Sequence, residues 1–230
     1  MIKLKIVLFS LATIAVLTSC SSYKKLNNSN KGAVIATAGG AAAGAVIGKI
    51  AGNTTLGTII GAVVGGGTGA IIGRHMDKQA AEIKKQVPGA KVERVGEGIV
   101  VEFSSAVLFG FDQSALTTTA NGTLNQLITI LNKYPNTNLE VQGHTDSLGT
   151  VDYNNQLSIK RATNVADYLT NDGIANQRIT IKGFGASAPK YSNLTDEGRQ
   201  QNRRVEFLIT ANDKMKKEAD KEAKTGTTKL

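Results

Sequence analysis

A single cysteine, Cys20, stands among 230 residues, so no disulfide can form within one chain. Histidine is nearly as scarce, with two residues. His144 has no second histidine or cysteine at metal-ligand spacing, and Ser147 has no activating base suggested beside it. The residue types that hydrolysis would need are therefore not in place. Long hydrophobic runs are lacking near the start as well: Ile6 to Val16 is apolar but too short to span a bilayer. Acids are outnumbered, 18 against 27 lysines and arginines, for a formal net charge of +9. Nucleic acid, anionic lipid headgroups and acidic wall polymers all attract such a surface, and charge alone does not choose among them.

The N-terminal residues narrow that choice. Lys3 and Lys5, the apolar run and the small residues after it have the three parts of a secretory signal, spanning 1–19. Export disfavours nucleic acid as a partner. Leu17-Thr18-Ser19-Cys20 resembles the lipobox of bacterial lipoproteins, in which the cysteine thiol takes a diacylglycerol and the preceding segment is cut away. Cleavage there removes two lysines and no acid, so the remaining chain stays basic. Several acyl chains, each stabilised by about 0.8 kcal/mol per buried methylene, make a lasting anchor on membrane lipid. Residues 20–31 then read as a polar, lipidated tether. Serine after the cysteine agrees with outer-membrane sorting in the enterobacterial lipoproteins this resembles.

From 32 to 74 the composition turns to Gly, Ala, Ile and Val. Gly40, Gly44, Gly48 and Gly52 are followed by Gly57, Gly61, Gly65, Gly69 and Gly73, within each run four apart. Residues at that spacing share a helix face, and bare backbone there lets another helix approach closely. Asn53-Thr54-Thr55 divides the two runs, which predicts a helical hairpin with arms about 27 Å long for 18 residues each. The hairpin suits a membrane-associated segment or a contact between copies of the chain, a homo-oligomer through the glycine zipper. Lys49 and the weak hydrophobicity of Ala and Gly oppose full insertion. Gly65-x-Gly67-x-x-Ala70 also fits a dinucleotide-binding turn, but its glycines belong to a series that began at Gly40, before any candidate strand.

Lys78 to Gln86 predicts a charged helical continuation inside a linker helix at 75–90, ended by Pro88-Gly89. A folded domain at 91–211 follows. Lys91 to Val95 and Ile99 to Phe103 alternate as a hairpin around Gly96-Glu97-Gly98, and Val107 to Phe109 reads as a further extended piece. Ala120, Leu124, Leu127, Ile128 and Leu131 repeat as a helix face, then Leu139 to Gly143 as a strand. Asn154 to Thr170 predicts a second helix, and Arg178 to Phe184 and Val205 to Ile209 complete the strands. The fold class is α/β (α+β): a mixed sheet with helices packed on it, preceded by the glycine-zipper hairpin. The charged tail, 212–230, reads as a solvated helix or a disordered end.

Four motifs in this region occur together: Leu108-Phe109-Gly110-Phe111-Asp112, Gly143-His144-Thr145-Asp146, Tyr153-Asn154-x-x-Leu157-Ser158-x-x-Arg161-Ala162, and Gly198-Arg199-x-x-Asn202-Arg203-Arg204-Val205-Glu206-Phe207. In order and spacing they resemble the OmpA-like family of peptidoglycan-binding domains. The layout resembles lipoproteins of the YiaD and Pal kind. The resemblance implies a non-catalytic envelope protein that tethers a membrane to peptidoglycan, with no cofactor or metal, through the diaminopimelate residue of the stem peptide. That residue ends in an ammonium and a carboxylate on one carbon. Asp146, at a strand end, would accept from the ammonium. Arg161, in the next helix, would grip the carboxylate through paired hydrogen bonds. Leu157, one turn earlier, would wall the aliphatic stem. The family implies Phe111, Asp112, Thr145, Asn154 and Arg204 as the rest of the site. Arg203 and Arg204 are consecutive on a strand edge, so only one can face the pocket, and Arg204 is favoured. The same residues admit a structural salt bridge between Asp146 and Arg161 and a capping role for Asp112. The alternative function is a cell-wall hydrolase or an accessory protein of a wall enzyme.

Overall fold

A computed structural model describes residues 67–110 and 112–227. Cys20, the tether and most of the glycine hairpin therefore lie outside the described residues, as does Phe111. Among the described residues, no helix is long and apolar enough to cross a membrane.

Five strands form one mixed sheet in the order β1-β2-β5-β3-β4: β1 (Lys91–Val95), β2 (Gly98–Ser104), β3 (Thr137–Gly143), β4 (Ile179–Gly183) and β5 (Arg204–Ala211). β3 and β4 run parallel, and the other three pairings are antiparallel. A parallel pair cannot be closed by a tight turn, so a crossover helix, Val151–Asn171, joins β3 to β4. The alternation along β5 sorts its residues cleanly. Val205, Phe207 and Ile209 enter the apolar core, while Arg204 and Glu206 point to the other face. Phe103 meets Phe207 edge to face, with centroids 5.5 Å apart. Losing either ring would cost about 3 to 5 kcal/mol.

The helices are α1 (Gly67–Gln86), α2 (Ser105–Leu108), α3 (Thr118–Lys133), α4 (Val151–Asn171), α5 (Asp196–Asn202) and α6 (Asp213–Thr227). Threonines start three of them. Thr117 accepts from the Ala120 amide, Thr150 from that of Tyr153 and Thr195 from that of Gly198. The buried stripe of α3, including Ala120, Leu124, Leu127 and Leu131, is the face its periodicity predicts.

Four expectations change. The boundary set between 74 and 75 falls inside α1, and Ile72, Met76 and Ile83 of that helix are fully buried in the core. Residues 75–86 are thus part of the domain, because their apolar residues recur at helical spacing behind the charges. Of the two readings of the tail the helix holds, but it is packed on the domain rather than wholly solvated. Met215 and Ala219 of α6 join the same core, and Asn212 caps the helix through the Met215 amide. Residues 105–108 form a single helical turn where Val107 to Phe109 reads as extended, since a turn buries both Leu108 and Phe109 whereas a strand would expose one of them. Finally, α5 has no counterpart in the sequence reading. Asn202, at its end, is buried and holds the preceding loop through the amides of Lys190 and Tyr191 and the carbonyl of Tyr191.

Candidate functional site

The site grows from the carboxyl end of β3. Gly143 ends that strand against α4 so closely that a side chain there would fall on the Ser158 carbonyl oxygen. Ser158 in turn donates to the Asn155 carbonyl and accepts from the Gly185 amide. The chain then turns through Thr145 and Asp146 toward the start of α4, where ligands commonly bind in folds with parallel strands. A cavity of about 640 Å³ opens here, lined by residues from β2–α2, the loop after Phe109, the loop after β3, α4 and the end of α5.

Of the sequence-predicted residues, Asp112, Thr145, Asp146, Asn154, Leu157 and Arg161 all line this one cavity. Asp146 is only 6% exposed; its Oδ1 accepts from the Leu148 amide at 3.0 Å. Asn154, also buried, donates to the Leu148 carbonyl at 2.8 Å, so it fixes the loop that carries Asp146. The Thr145 hydroxyl donates to the Asp146 carbonyl at 2.9 Å. Leu157 is half-buried on the α4 wall.

Arg161 is 3% exposed, and its guanidinium lies over the Phe109 ring, 5.3 Å from the centroid. Its Nε donates to the Gln113 carbonyl at 2.9 Å, while Nη1 finds no hydrogen-bond partner. Burial pulls this guanidinium below its ordinary pKa; Asp112, Tyr153 and Asp146 oppose the shift, and Arg203 adds to it. Asp112 has a left-handed backbone, φ 53°, and accepts from the Tyr153 hydroxyl at 2.6 Å. A buried arginine with an unsatisfied donor, flanked by two aspartates, can receive an anionic group and a cationic group side by side.

Two placements differ from expectation. Asp146 pairs with Arg203, at 2.5 Å, and not with Arg161. Arg204, favoured from sequence, lies outside the cavity lining. It is buried on the polar face of the sheet and paired at 2.7 Å with Glu206, both side chains 2% exposed. Its Nη atoms donate to the carbonyls of Asn202 and Ala188. Arg203 takes the cavity side instead. The signal was present in the sequence: Arg204 and Glu206, two apart in a strand, share a face and carry opposite charges. Tyr153 belongs to the quoted motif and lines the cavity, although the sequence reading assigned it no role; Gln200, Leu148 and Ser105 had no signal in the sequence reading. His144 is fully buried beside Phe184, outside the lining.

Fold and site together define an α/β domain with a charged cavity beyond a parallel strand end. The chain belongs to the OmpA family, whose model matches residues 108–203, and a second model, the YMGG-like Gly-zipper, matches residues 1–77. It is 35% identical over 115 residues to the outer-membrane lipoprotein YfiB of Pseudomonas aeruginosa, covering 50% of this chain and 68% of that one. It is 36% identical over 144 residues to the lipoprotein YiaD of Escherichia coli K12, covering 62% and 66%. Against the outer membrane porin F of Pseudomonas fluorescens, 44% identical over 112 residues, the match covers 49% of this chain and spans only 34% of that protein. Among solved structures, the cell wall anchor of the T6SS from Pseudomonas aeruginosa superposes with a TM-score of 0.52 at 28% identity, over 60% of this chain and 97% of that chain.

Proposed function

We propose that this chain tethers a membrane to peptidoglycan without catalysis, its cavity holding the free end of diaminopimelate in the stem peptide. The carrying observation is that Arg161, buried and with an unpartnered Nη1, lines one cavity together with Asp146. The ligand carboxylate takes the outer edge of that guanidinium, and the ammonium takes Asp146, with Asp112 alongside. The aliphatic stem lies on Leu157. Relatives named as outer-membrane lipoproteins and as a cell wall anchor support this reading. The membrane end is acylated Cys20 together with the glycine-rich segment 32–74, which also serves contacts between copies of the chain. The outer membrane is the proposed location, with the folded domain in the periplasm.

The test is co-sedimentation of the full-length protein with purified sacculi. The wild type is expected in the pellet, and Asp146→Ala and Arg161→Ala in the supernatant. Retention of both variants at the wild-type level would overturn the assignment. In parallel, a palmitate analogue is expected to label the wild type and not Cys20→Ala.

A further inference from the structure

The loop that brings Phe109, Gly110 and Asp112 to the cavity wall is held to α4 by three side chains. A backbone bridge between Phe109 and Leu116 closes its ends. Arg161 Nε grips the Gln113 carbonyl at 2.9 Å, and Asn164 Nδ2 grips the Ser114 carbonyl at 2.6 Å. These two contacts place the chain whatever its side chains are. The third is different in kind. Tyr153 donates its hydroxyl at 2.6 Å to a side-chain oxygen, Asp112 Oδ1. An exposed aspartate has rotamer freedom, and a left-handed backbone persists in a non-glycine residue only where its surroundings hold it. Tyr153 therefore determines where this carboxylate points.

A carboxylate has two oxygens, each able to accept. With Oδ1 taken by the phenol, Asp112 still lines the cavity, as Asp146 does. Two aspartates lining one cavity suit an ammonium, whose three N–H groups need several acceptors. A single carboxylate, already paired with Arg203, suits it less. We infer that Tyr153 is a positioning residue that fixes the Asp112 carboxylate beside Asp146, making the cavity selective for a ligand end that bears an ammonium. This rests on the proposed function and assigns the selectivity within it.

Calorimetry with the full-length protein tests it, using two stem peptides. One ends in meso-diaminopimelate. The other ends in 2-aminopimelate, which keeps the chain and the carboxylates and lacks the distal ammonium. Tyr153→Phe keeps the ring and removes one donor. It is expected to lower affinity for the first peptide about fivefold and to leave the second unchanged. Asp112→Asn is expected to show the same selectivity, with little further loss in the double variant. Equal losses on both peptides would mean a merely structural role, and no loss on either would remove the role altogether. A ligand-free reading stands beside these. The Asp112 hydrogen bond holds the Tyr153 hydroxyl above its ordinary pKa, so Asp112→Asn should lower one phenol titration in the ultraviolet. No such shift would overturn the contact itself. If the wild type binds neither peptide, the proposed function fails and the selectivity with it, and the titration alone judges the contact.

Discussion

Arg161 commits one donor to the fold and leaves a second, buried one unsatisfied: Nε donates to the Gln113 carbonyl at 2.9 Å, and Nη1 is left without a partner. With Nε committed, the carboxylate of the proposed ligand is left the Nη atoms. Lysine offers one ammonium and cannot hold the loop and the ligand together. Arg161→Lys is expected to lose at least tenfold in affinity for the stem peptide, despite keeping the charge. Calorimetry with a peptide whose diaminopimelate carboxylate is amidated completes the argument. The amide should weaken wild-type binding yet make little further difference to Arg161→Lys. Additive losses would mean that Arg161 does not contact that carboxylate.

Asp146 and Arg203 form an ion pair on the cavity wall, and the two ends are unequal. The aspartate side chain is 8% exposed and the arginine 39%. A half-exposed partner contributes little, about 0 to 1 kcal/mol, because water screens it. Removing the buried acceptor leaves a ligand ammonium with the exposed Asp112 alone, at about 2 to 5 kcal/mol. Asp146→Ala should therefore abolish measurable binding to sacculi, while Arg203→Ala should change it less than tenfold in either direction. If Arg203→Ala proves as damaging as Asp146→Ala, Arg203 is itself a ligand contact.

Arg204 and Glu206 show the opposite balance, both buried and joined at 2.7 Å. Breaking such a pair strands a charge in a dry interior, so Arg204→Ala is expected to destabilise the domain by about 3 to 5 kcal/mol. Replacing both, Arg204→Met with Glu206→Leu, should restore most of that stability. Urea unfolding of the wild type and these two variants measures it. A folded, stable Arg204→Ala protein with weakened wall binding would return Arg204 to the site.

The sequence carried the chemistry of the site further than its geometry. Asp146 and Arg161 were readable because a motif placed opposite charges on consecutive elements, and both line the cavity. The choice between Arg203 and Arg204 took a further step: the alternation of Arg204 with Glu206 was there to read, but it decides the choice only once β5 is known to begin at Arg204, with Arg203 capping the end of α5. The contribution of α1 was hidden for another reason. Its glycines and charged residues interrupt the pattern, while the residues that join the core, Ile71, Ile72, Met76, Ala80 and Ile83, recur at helical intervals among them. The loop after Phe109 had no periodic signal at all, since hydrogen bonds from α4 hold it. Such contacts become visible only once the helix is laid beside the loop.

His144 lies within the Gly143-His144-Thr145-Asp146 motif yet outside the cavity, which makes its effect on stability separable from binding. The ring is fully buried and stacked on Phe184, 5.1 Å between centroids and 5° from parallel. Neither ring nitrogen has a hydrogen-bond partner. Burial, with Arg204 and Lys190 nearby, holds its pKa well below the ordinary 6.5, so the imidazole is neutral in the fold. The unfolded chain takes up a proton at this position as pH falls through 6.5 and the folded chain does not. Stability contributed here is thus present above that pH and lost below it, at up to about 1.4 kcal/mol per unit. Glu97 acts in the opposite direction, because burial, against Arg94 and Lys216, raises its carboxyl to about 7, but its contribution is common to any pair of proteins differing only at 144. His144→Phe keeps a planar ring against Phe184 and removes the titration. Unfolding free energies for the two proteins should run parallel above pH 7 and diverge toward about pH 5, with the variant losing less. Curves that stay parallel throughout would mean that His144 is protonated in the folded chain, and the buried, neutral assignment would fall.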